Sequence, residues 1–204
     1  MQTVTVTGHS DYRDKGSRFY GFLAASESVE QAEKVLEKLK NEHPTATHHC
    51  YAWRIGLDDI GEYSQDDGEP SGSAGLPILN ELRSHDLINC ILISVRYYGG
   101  TKLGKKGLIH AYGTSARMSI DNAVLGRVVQ MQRFRIEYPY SLQPAIDKLR
   151  HDFAVQELDA SYLEHVELIL GVPIQQLGTF RKALASIEHQ LIGYDELDRT
   201  YITS

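Results

Sequence analysis

The sequence predicts an α+β protein of two domains, spanning residues 1–128 and 131–204. The first observation behind this prediction is that apolar, β-branched runs are interleaved with helical patterns along the whole chain. The second is that the pattern restarts after Gly126 and gives strand, helix, strand, strand, helix, strand in about 65 residues. This order is that of the ferredoxin-like fold, which we therefore expect for the second domain.

The first domain begins with an alternating strand around Val4 and Val6, followed by a strand over 17–25. Ser28 is a predicted N-cap, and apolar residues then recur at helical spacing until Pro44 ends the helix. Further strands are predicted over 50–55 and 88–98, the latter central, and helices over 74–82 and 107–125, with a long loop over 56–75.

The second domain has alternating or apolar runs over 132–138, 155–161, 166–172 and 191–197, which predict strands. Amphipathic patterns predict helices over 142–153 and 174–189. The boundary between the domains is placed near residues 126–131.

Composition restricts the class of protein. Apolar types make up 42% of the chain, which excludes disordered and low-complexity proteins and is enough for a core at this length. Cys50 and Cys90 are too few for a disulfide scaffold and favour a reducing compartment. No secretory signal and no apolar run of ~20 residues is visible, so a cytoplasmic location without membrane contact is expected.

Charge is distributed unevenly. The chain has 21 basic and 27 acidic side chains, a net charge of −6, which argues against a strong, non-specific nucleic-acid binder. Residues 87–120 nevertheless contain no acid and carry five cations: Arg96, Lys102, Lys105, Lys106 and Arg117. The local field of this segment matters more for a partner than the total charge.

The segment 99–106 (GGTKLGKK) resembles a nucleotide-binding P-loop because it has the spacing G-x-x-x-x-G-K between a strand and a helix. Its eighth position is Lys106, however, and not the serine or threonine that binds magnesium. Gly99, Gly100 and Gly104 beside lysines at a helix start still suit an anion. The alternative is that the glycines only shape a turn and the lysines are solvated.

The loop 66–75 (DDGEPSGSAG) is the second unusual segment. Asp66, Asp67 and Glu69 offer oxygen ligands, but the spacing of a calcium loop is missing, so no metal site is expected. Ser71 and Ser73 precede a helix, so the loop either presents N–H groups to an anion or a carboxylate, or caps the helix with its own serines.

Two smaller groups were weighed for chemistry. His48, His49 and Cys50 are adjacent on a strand, so at most His48 and Cys50 share a face, and a packed histidine beside a buried cysteine is favoured over a ligand cluster. A cysteine nucleophile has no local signature. Tyr97 and Tyr98 could stack on a base with Arg96 beside them, although alternation predicts that one tyrosine lies in the core.

Several segments resemble the signature motifs of the IMPACT family, which includes the bacterial YigZ-type proteins. The two long ones are 66–79 (DDGEPSGSAGLPIL) and 95–112 (VRYYGGTKLGKKGLIHAY), and the shorter ones are 15–19 (KGSRF) and 47–55 (THHCYAWRI). The resemblance spans nearly the whole chain. The sequence departs from the family pattern at Lys105, Lys106, His110 and Ser73.

The resemblance implies that the first domain has the α/β sandwich fold of the second domain of a small-subunit ribosomal protein. It implies a ferredoxin-like second domain, in agreement with the order of elements. It also implies a link to translation, because the eukaryotic relatives regulate translation by competing for the activator of an initiation-factor kinase. RNA or ribosome binding follows only by analogy of fold.

The leading hypothesis is a non-catalytic, translation-linked factor that binds RNA or a ribonucleoprotein surface, without a cofactor. Its predicted phosphate contacts are Arg96, Lys102, Lys105, Lys106, His110 and Arg117. The predicted wall of the cleft consists of Asp66, Asp67, Glu69, Ser71, Ser73, Gly99, Gly100 and Gly104. Two alternatives stay open: an enzyme acting on a phosphorylated small molecule or nucleotide, with Asp67 or Glu69 as base, and a protein–protein regulatory module.

Overall fold

The computed structural model describes residues 1–203. Contacts between Cα atoms divide the chain into two compact units, which we call unit 1 (Met1–Arg127) and unit 2 (from Val128 onwards). Each unit has helices packed on a β-sheet, so the predicted mixture of helices and strands is confirmed. Within the described residues, we find no helix of the length and apolar character that crossing a lipid bilayer requires.

Unit 1 is built around one antiparallel sheet. The strands of unit 1 are β1 (Gln2–Val6), β2 (Gly8–Asp14), β3 (Ser17–Ala25), β4 (His48–Ile55), β5 (Gly61–Gln65) and β6 (Cys90–Tyr97). The helices of unit 1 are α1 (Val29–Glu42), α2 (Gly75–Ser84) and α3 (Gly104–Asp121). The sheet has the order β2-β3-β6-β4-β5. Strand β7 (Val124–Tyr138) begins in unit 1, where its first residues pair with β1, and continues into unit 2.

Strand β6 is the central strand of this sheet, as its apolar sequence predicts. Ile91, Ile93 and Val95 pack with α1 on one face. Cys90 and Leu92 pack in the larger core that includes α2 and α3. Because helices cover both faces, nearly every residue of β6 is buried, which explains its continuous apolar run.

The structure differs from the sequence prediction at the long loop over 56–75, which was wrong for its middle part. Residues Gly61–Gln65 form β5, an edge strand that pairs with β4 in register from Tyr51↔Gln65 to Ile55↔Gly61. An edge strand with four exposed residues needs few apolar side chains, so its sequence is indistinguishable from that of a loop. The polar hairpin strand β2 was not predicted for the same reason.

Unit 2 contains the rest of β7, helices α4 (Gln143–Asp152) and α5 (Leu177–Ile187), and strands β8 (Gln156–Tyr162), β9 (Val166–Pro173) and β10 (Gly193–Thr203). Its sheet has the antiparallel order β10-β7-β9-β8. The core consists of alternate residues of β7 and β9 packed with α4 and α5, among them Phe134, Ile146 and Phe180. The strand–helix–strand–strand–helix–strand order is therefore observed as predicted.

Candidate functional site

The carboxylates of the 66–75 loop are turned into the protein. Asp66 accepts hydrogen bonds from the backbone N–H groups of Gly72 (2.7 Å), Ala74 (2.9 Å) and Gly75 (2.9 Å). Burial alone would raise the pKa of Asp66, but these N–H groups hold it below the usual value. Asp66 therefore caps the first turn of α2, which has no cap from its own N-cap side chain.

Asp67 fastens the same loop to β4. Its backbone lies in the left-handed region, with φ of 45°, and its Oδ2 accepts the backbone N–H of His49 at 2.6 Å. Its carbonyl oxygen lies 2.7 Å from Nδ1 of His48. Because a carbonyl can only accept, the Nδ1 of His48 carries the proton, and Nε2 is left facing Glu69 at 3.8 Å.

Glu69 and Arg96 form a buried ion pair, with side chains that are 4% and 5% exposed. The Glu69 carboxylate also accepts a hydrogen bond from the Tyr112 hydroxyl at 2.8 Å. Arg96 donates to Ser17 Oγ at 3.2 Å, and its guanidinium lies 5.4 Å from the centre of the Tyr98 ring. Glu69 is thus held as an ion-pair partner and is not a free general base.

The cysteines are unsuited to nucleophilic chemistry. The Cys50 thiol is buried 3.0 Å from the carbonyl oxygen of Asp66 and 3.3 Å from the Tyr112 hydroxyl. Burial raises the pKa of the Cys50 thiol far above neutral pH, and it raises the pKa of Cys90 to about 12. Burial likewise raises the pKa of Tyr112, so its hydroxyl stays protonated and donates a hydrogen bond to the Glu69 carboxylate.

The lysines lie at the start of α3. The helix begins at Gly104, three residues earlier than predicted, so Lys105 and Lys106 belong to its first turn and Lys102 to the turn before it. This turn has no acidic residue and no side-chain cap. No ion pair involves any of the three lysines in the part of the chain described, and all three are exposed.

A cleft of about 470 Å³ lies between the start of α3 and the 66–75 loop, which we call the α3 cleft. Both unusual segments of the sequence contribute to it. Its lining residues are Thr47, His48, Glu69, Pro70, Arg96, Tyr98, Lys102, Leu103, Gly104, Lys105 and Leu108.

The structure brings together only part of the predicted site. Of the predicted residues, Glu69, Arg96, Lys102, Gly104 and Lys105 line the cleft. The others do not line it: Asp66, Asp67, Ser71, Ser73, Gly99, Gly100, Lys106, His110 and Arg117.

Two of the residues outside the lining have partners that explain their place. Ser73 is fully buried and donates to the Pro70 carbonyl. Arg117 pairs with Glu81 of α2 at 2.8 Å, which takes its guanidinium away from the predicted phosphate contacts.

Sequence reasoning missed two residues of this site. His48 was weighed as a metal ligand and as a packed histidine, with the packed histidine favoured, whereas it lines the cleft beside Glu69. Tyr112 was not predicted as a site residue, whereas its hydroxyl lies within hydrogen-bond distance of both Glu69 and Cys50. Strand alternation puts His48 and Cys50 on one face, but it does not reveal the loop that they meet.

Residues 1–203 contain no group of three His, Cys, Asp or Glu side chains suited to holding a metal ion.

The structure thus defines this chain as an α/β protein whose unit 1 carries a cleft bordered by lysines. The family model described as "Impact N-terminal domain" matches residues 15–120. This chain belongs to the IMPACT family, as the signature motifs imply.

One curated relative agrees with this assignment, and two solved structures are similar to this chain. "IMPACT family member YigZ" of Escherichia coli is 32% identical over 187 residues, which cover 89% of this chain and 92% of the relative. A crystal structure described as that of a hypothetical protein is 29% identical and covers 96% of this chain and 95% of its own, with a TM-score of 0.64. The structure described as "two-domain translational regulator Yih1" is 29% identical, covers 58% of this chain and 48% of its own, and has a TM-score of 0.40.

Proposed function

We propose that this chain is a non-catalytic regulator linked to translation, which binds phosphates of RNA or of a ribonucleoprotein surface at the α3 cleft. The observation that carries the proposal is the set of three exposed lysines without ion-pair partners at the uncapped start of α3. The link to translation is supported by membership of the IMPACT family.

The charges around the cleft favour an anionic ligand. Glu69 is neutralised by Arg96, and Asp66 and Asp67 are engaged by backbone N–H groups. The carboxylates therefore stabilise the loop through their buried partners, whereas the ammonium groups of Lys102 and Lys105 at the rim of the cleft have no ion-pair partner in the described residues. The positive end of the α3 dipole adds to this field, since the helix has 18 residues and no acid in its first turn.

The rim also offers a surface for a nucleobase. Tyr98 is 45% exposed, and its ring lies beside the Arg96 guanidinium. Aromatic rings beside cations are the usual means by which proteins hold single-stranded nucleic acid without reading its sequence. A single strand fits the cleft better than a duplex, because an unpaired base can leave the stack and reach the ring.

The proposal is tested by replacing Lys102→Ala together with Lys105→Ala and measuring the affinity for a fluorescent single-stranded RNA by anisotropy at low salt. We expect a loss of about tenfold or more, since each lysine contributes a charge-assisted contact. The matched control is Lys148→Ala with Lys182→Ala, which removes the same charge from exposed sites of unit 2 and should leave the affinity nearly unchanged.

Equal losses in both double variants would assign binding to bulk charge and not to the cleft. If the unaltered protein binds neither RNA nor ribosomes at low salt, the proposal is wrong. Nuclease-resistant capture of one stoichiometric protein partner, in the absence of RNA binding, would favour a protein–protein module instead.

A further inference from the structure

A separate pocket lies on the opposite face of the unit 1 sheet, between α1 and the strands β4 and β5. We call it the aromatic pocket. It has a volume of about 200 Å³, and its lining residues are Val29, Ala32, Glu33, Leu36, Tyr51, Trp53, Tyr63 and Ile91. This volume accommodates one long side chain, and not a cofactor or a nucleotide.

Three aromatic rings form the floor of the aromatic pocket. Trp53 and Tyr63 are directly opposite each other in the β4–β5 register, and their ring centres are 5.8 Å apart with an angle of 22° between the planes. Tyr51 is on the same face, with its ring centre 6.0 Å from that of Tyr63. The faces of such rings carry partial negative charge and attract cations, tryptophan most strongly.

The wall formed by α1 adds a full negative charge. Glu33 lies at the pocket and is in no ion pair within the described residues. Burial raises the pKa of the Tyr51 hydroxyl, and the nearby Tyr63 and Glu33 side chains raise it further. Glu30 and Glu37 lie three and four residues away on the same flank of the helix.

The pocket opens beside an unpaired sheet edge. In residues 1–203, β5 pairs with β4 and no strand pairs with its other side. Four of its five residues are exposed, including Tyr63 at 43%. An exposed edge presents a row of backbone N–H and C=O groups, onto which an extended peptide adds as a further strand.

We propose that the aromatic pocket and the β5 edge dock an extended, basic segment of a partner protein. The segment adds beside β5, and one lysine or arginine side chain lies across Tyr63 and Trp53 with its charged end toward Glu33. Side chains of neighbouring strands on one face are about 5 Å apart, so a long basic side chain spans this distance. Charge selects the partner, because the only charged side chain in the pocket lining is an acid.

This site is independent of the proposed function, because it lies on the other face of the sheet from the α3 cleft. Trp53 is the single tryptophan of the chain, so intrinsic fluorescence reports directly on the aromatic pocket. The experiment titrates the full chain with three blocked pentapeptides of the sequence Thr-Val-X-Val-Thr. The central residue X is lysine, glutamate or leucine.

We expect the lysine peptide to change the Trp53 emission saturably and to shift the backbone amide NMR signals of β5. The glutamate peptide should bind about tenfold more weakly or not measurably. Glu33→Gln should lower the affinity for the lysine peptide about threefold to fivefold. Tyr63→Leu, which keeps an apolar strand residue, should lower this affinity by a similar factor. Glu42→Gln, at the other end of α1, removes the same charge and should have no effect.

Equal affinities for the lysine and glutamate peptides would overturn the proposal. So would a leucine peptide that binds as tightly as the lysine peptide, because the pocket would then be a plain apolar groove. Absence of any response up to about 10 mM peptide would also overturn it. Lys102→Ala with Lys105→Ala should leave peptide binding unchanged, so a failure here is separate from a failure of RNA binding.

Discussion

At the scale of single residues, the 66–75 loop shows that the partner decides the role of a carboxylate. Asp66, Asp67 and Glu69 would serve equally well as metal ligands, bases or caps in a sequence pattern. In the structure Asp66 caps α2, Asp67 holds β4 and Glu69 neutralises Arg96. Their combined effect is to remove acid from the rim of the α3 cleft.

The role of Asp66 is testable through Asp66→Asn. The amide nitrogen of asparagine would face a backbone N–H, so we expect a loss of about 1–3 kcal/mol in the free energy of unfolding at pH 7. The folded pKa of Asp66 is depressed, so its stabilisation is complete above the unfolded pKa of about 3.9 and is lost as the pH falls through the folded pKa. Urea denaturation between pH 7 and pH 3 measures both effects.

The control for this variant is Asp59→Asn, which makes the same charge change at an exposed position of the β4–β5 connection. It should change stability by less than about 0.5 kcal/mol. The difference in the free energy of unfolding between Asp66→Asn and the unaltered protein should become smaller at pH 3. If this difference is as large at pH 3 as at pH 7, the capping role is contradicted.

At the scale of elements, α3 packs very closely on the sheet. A Cβ atom added at Gly8 of β2 would lie 1.9 Å from the Ser119 carbonyl oxygen. Ser10, Ser115 and Ser119 hydrogen-bond to one another across the interface. The glycine and serine of β2 that meet α3 were not identified from the sequence, because contacts across more than 100 residues leave no local pattern.

We expect Gly8→Ala to destabilise unit 1 by about 1–3 kcal/mol, because the added methyl group meets backbone that cannot move without separating α3 from β2. Gly113→Ala is the matched comparison, since the nearest atom to its new Cβ is a side-chain oxygen at 3.8 Å. In the helix interior it should stabilise by about 0.5–1 kcal/mol. Thermal or denaturant unfolding measures both, and a neutral Gly8→Ala would contradict this packing.

At the scale of the whole molecule, the distribution of charge limits how RNA can bind. The net charge of −6 opposes non-specific binding, whereas three exposed lysines without an ion-pair partner in the described residues are clustered at the start of α3. A ligand must therefore be selected by the shape of the cleft as well as by its phosphates.

The salt dependence of binding checks this limit. Three lysines that each neutralise one phosphate of a single strand give a slope of about −2 for the logarithm of the association constant against that of salt concentration. Anisotropy titrations of single-stranded RNA between 25 and 150 mM salt measure it. A slope steeper than about −5 would require more phosphate contacts than the three lysines at the start of α3 provide.

The sequence by itself determined the kinds of element, the strand–helix order of unit 2 and the family, because periodicity and motifs are local properties of the chain. It also marked the glycine–lysine turn at the start of a helix. Only the tertiary structure decided which charges remain free, since Arg96 meets Glu69 across 27 positions and Arg117 meets Glu81 across 36. It also made β5 a strand, because pairing with β4, and not its own side chains, stabilises this edge.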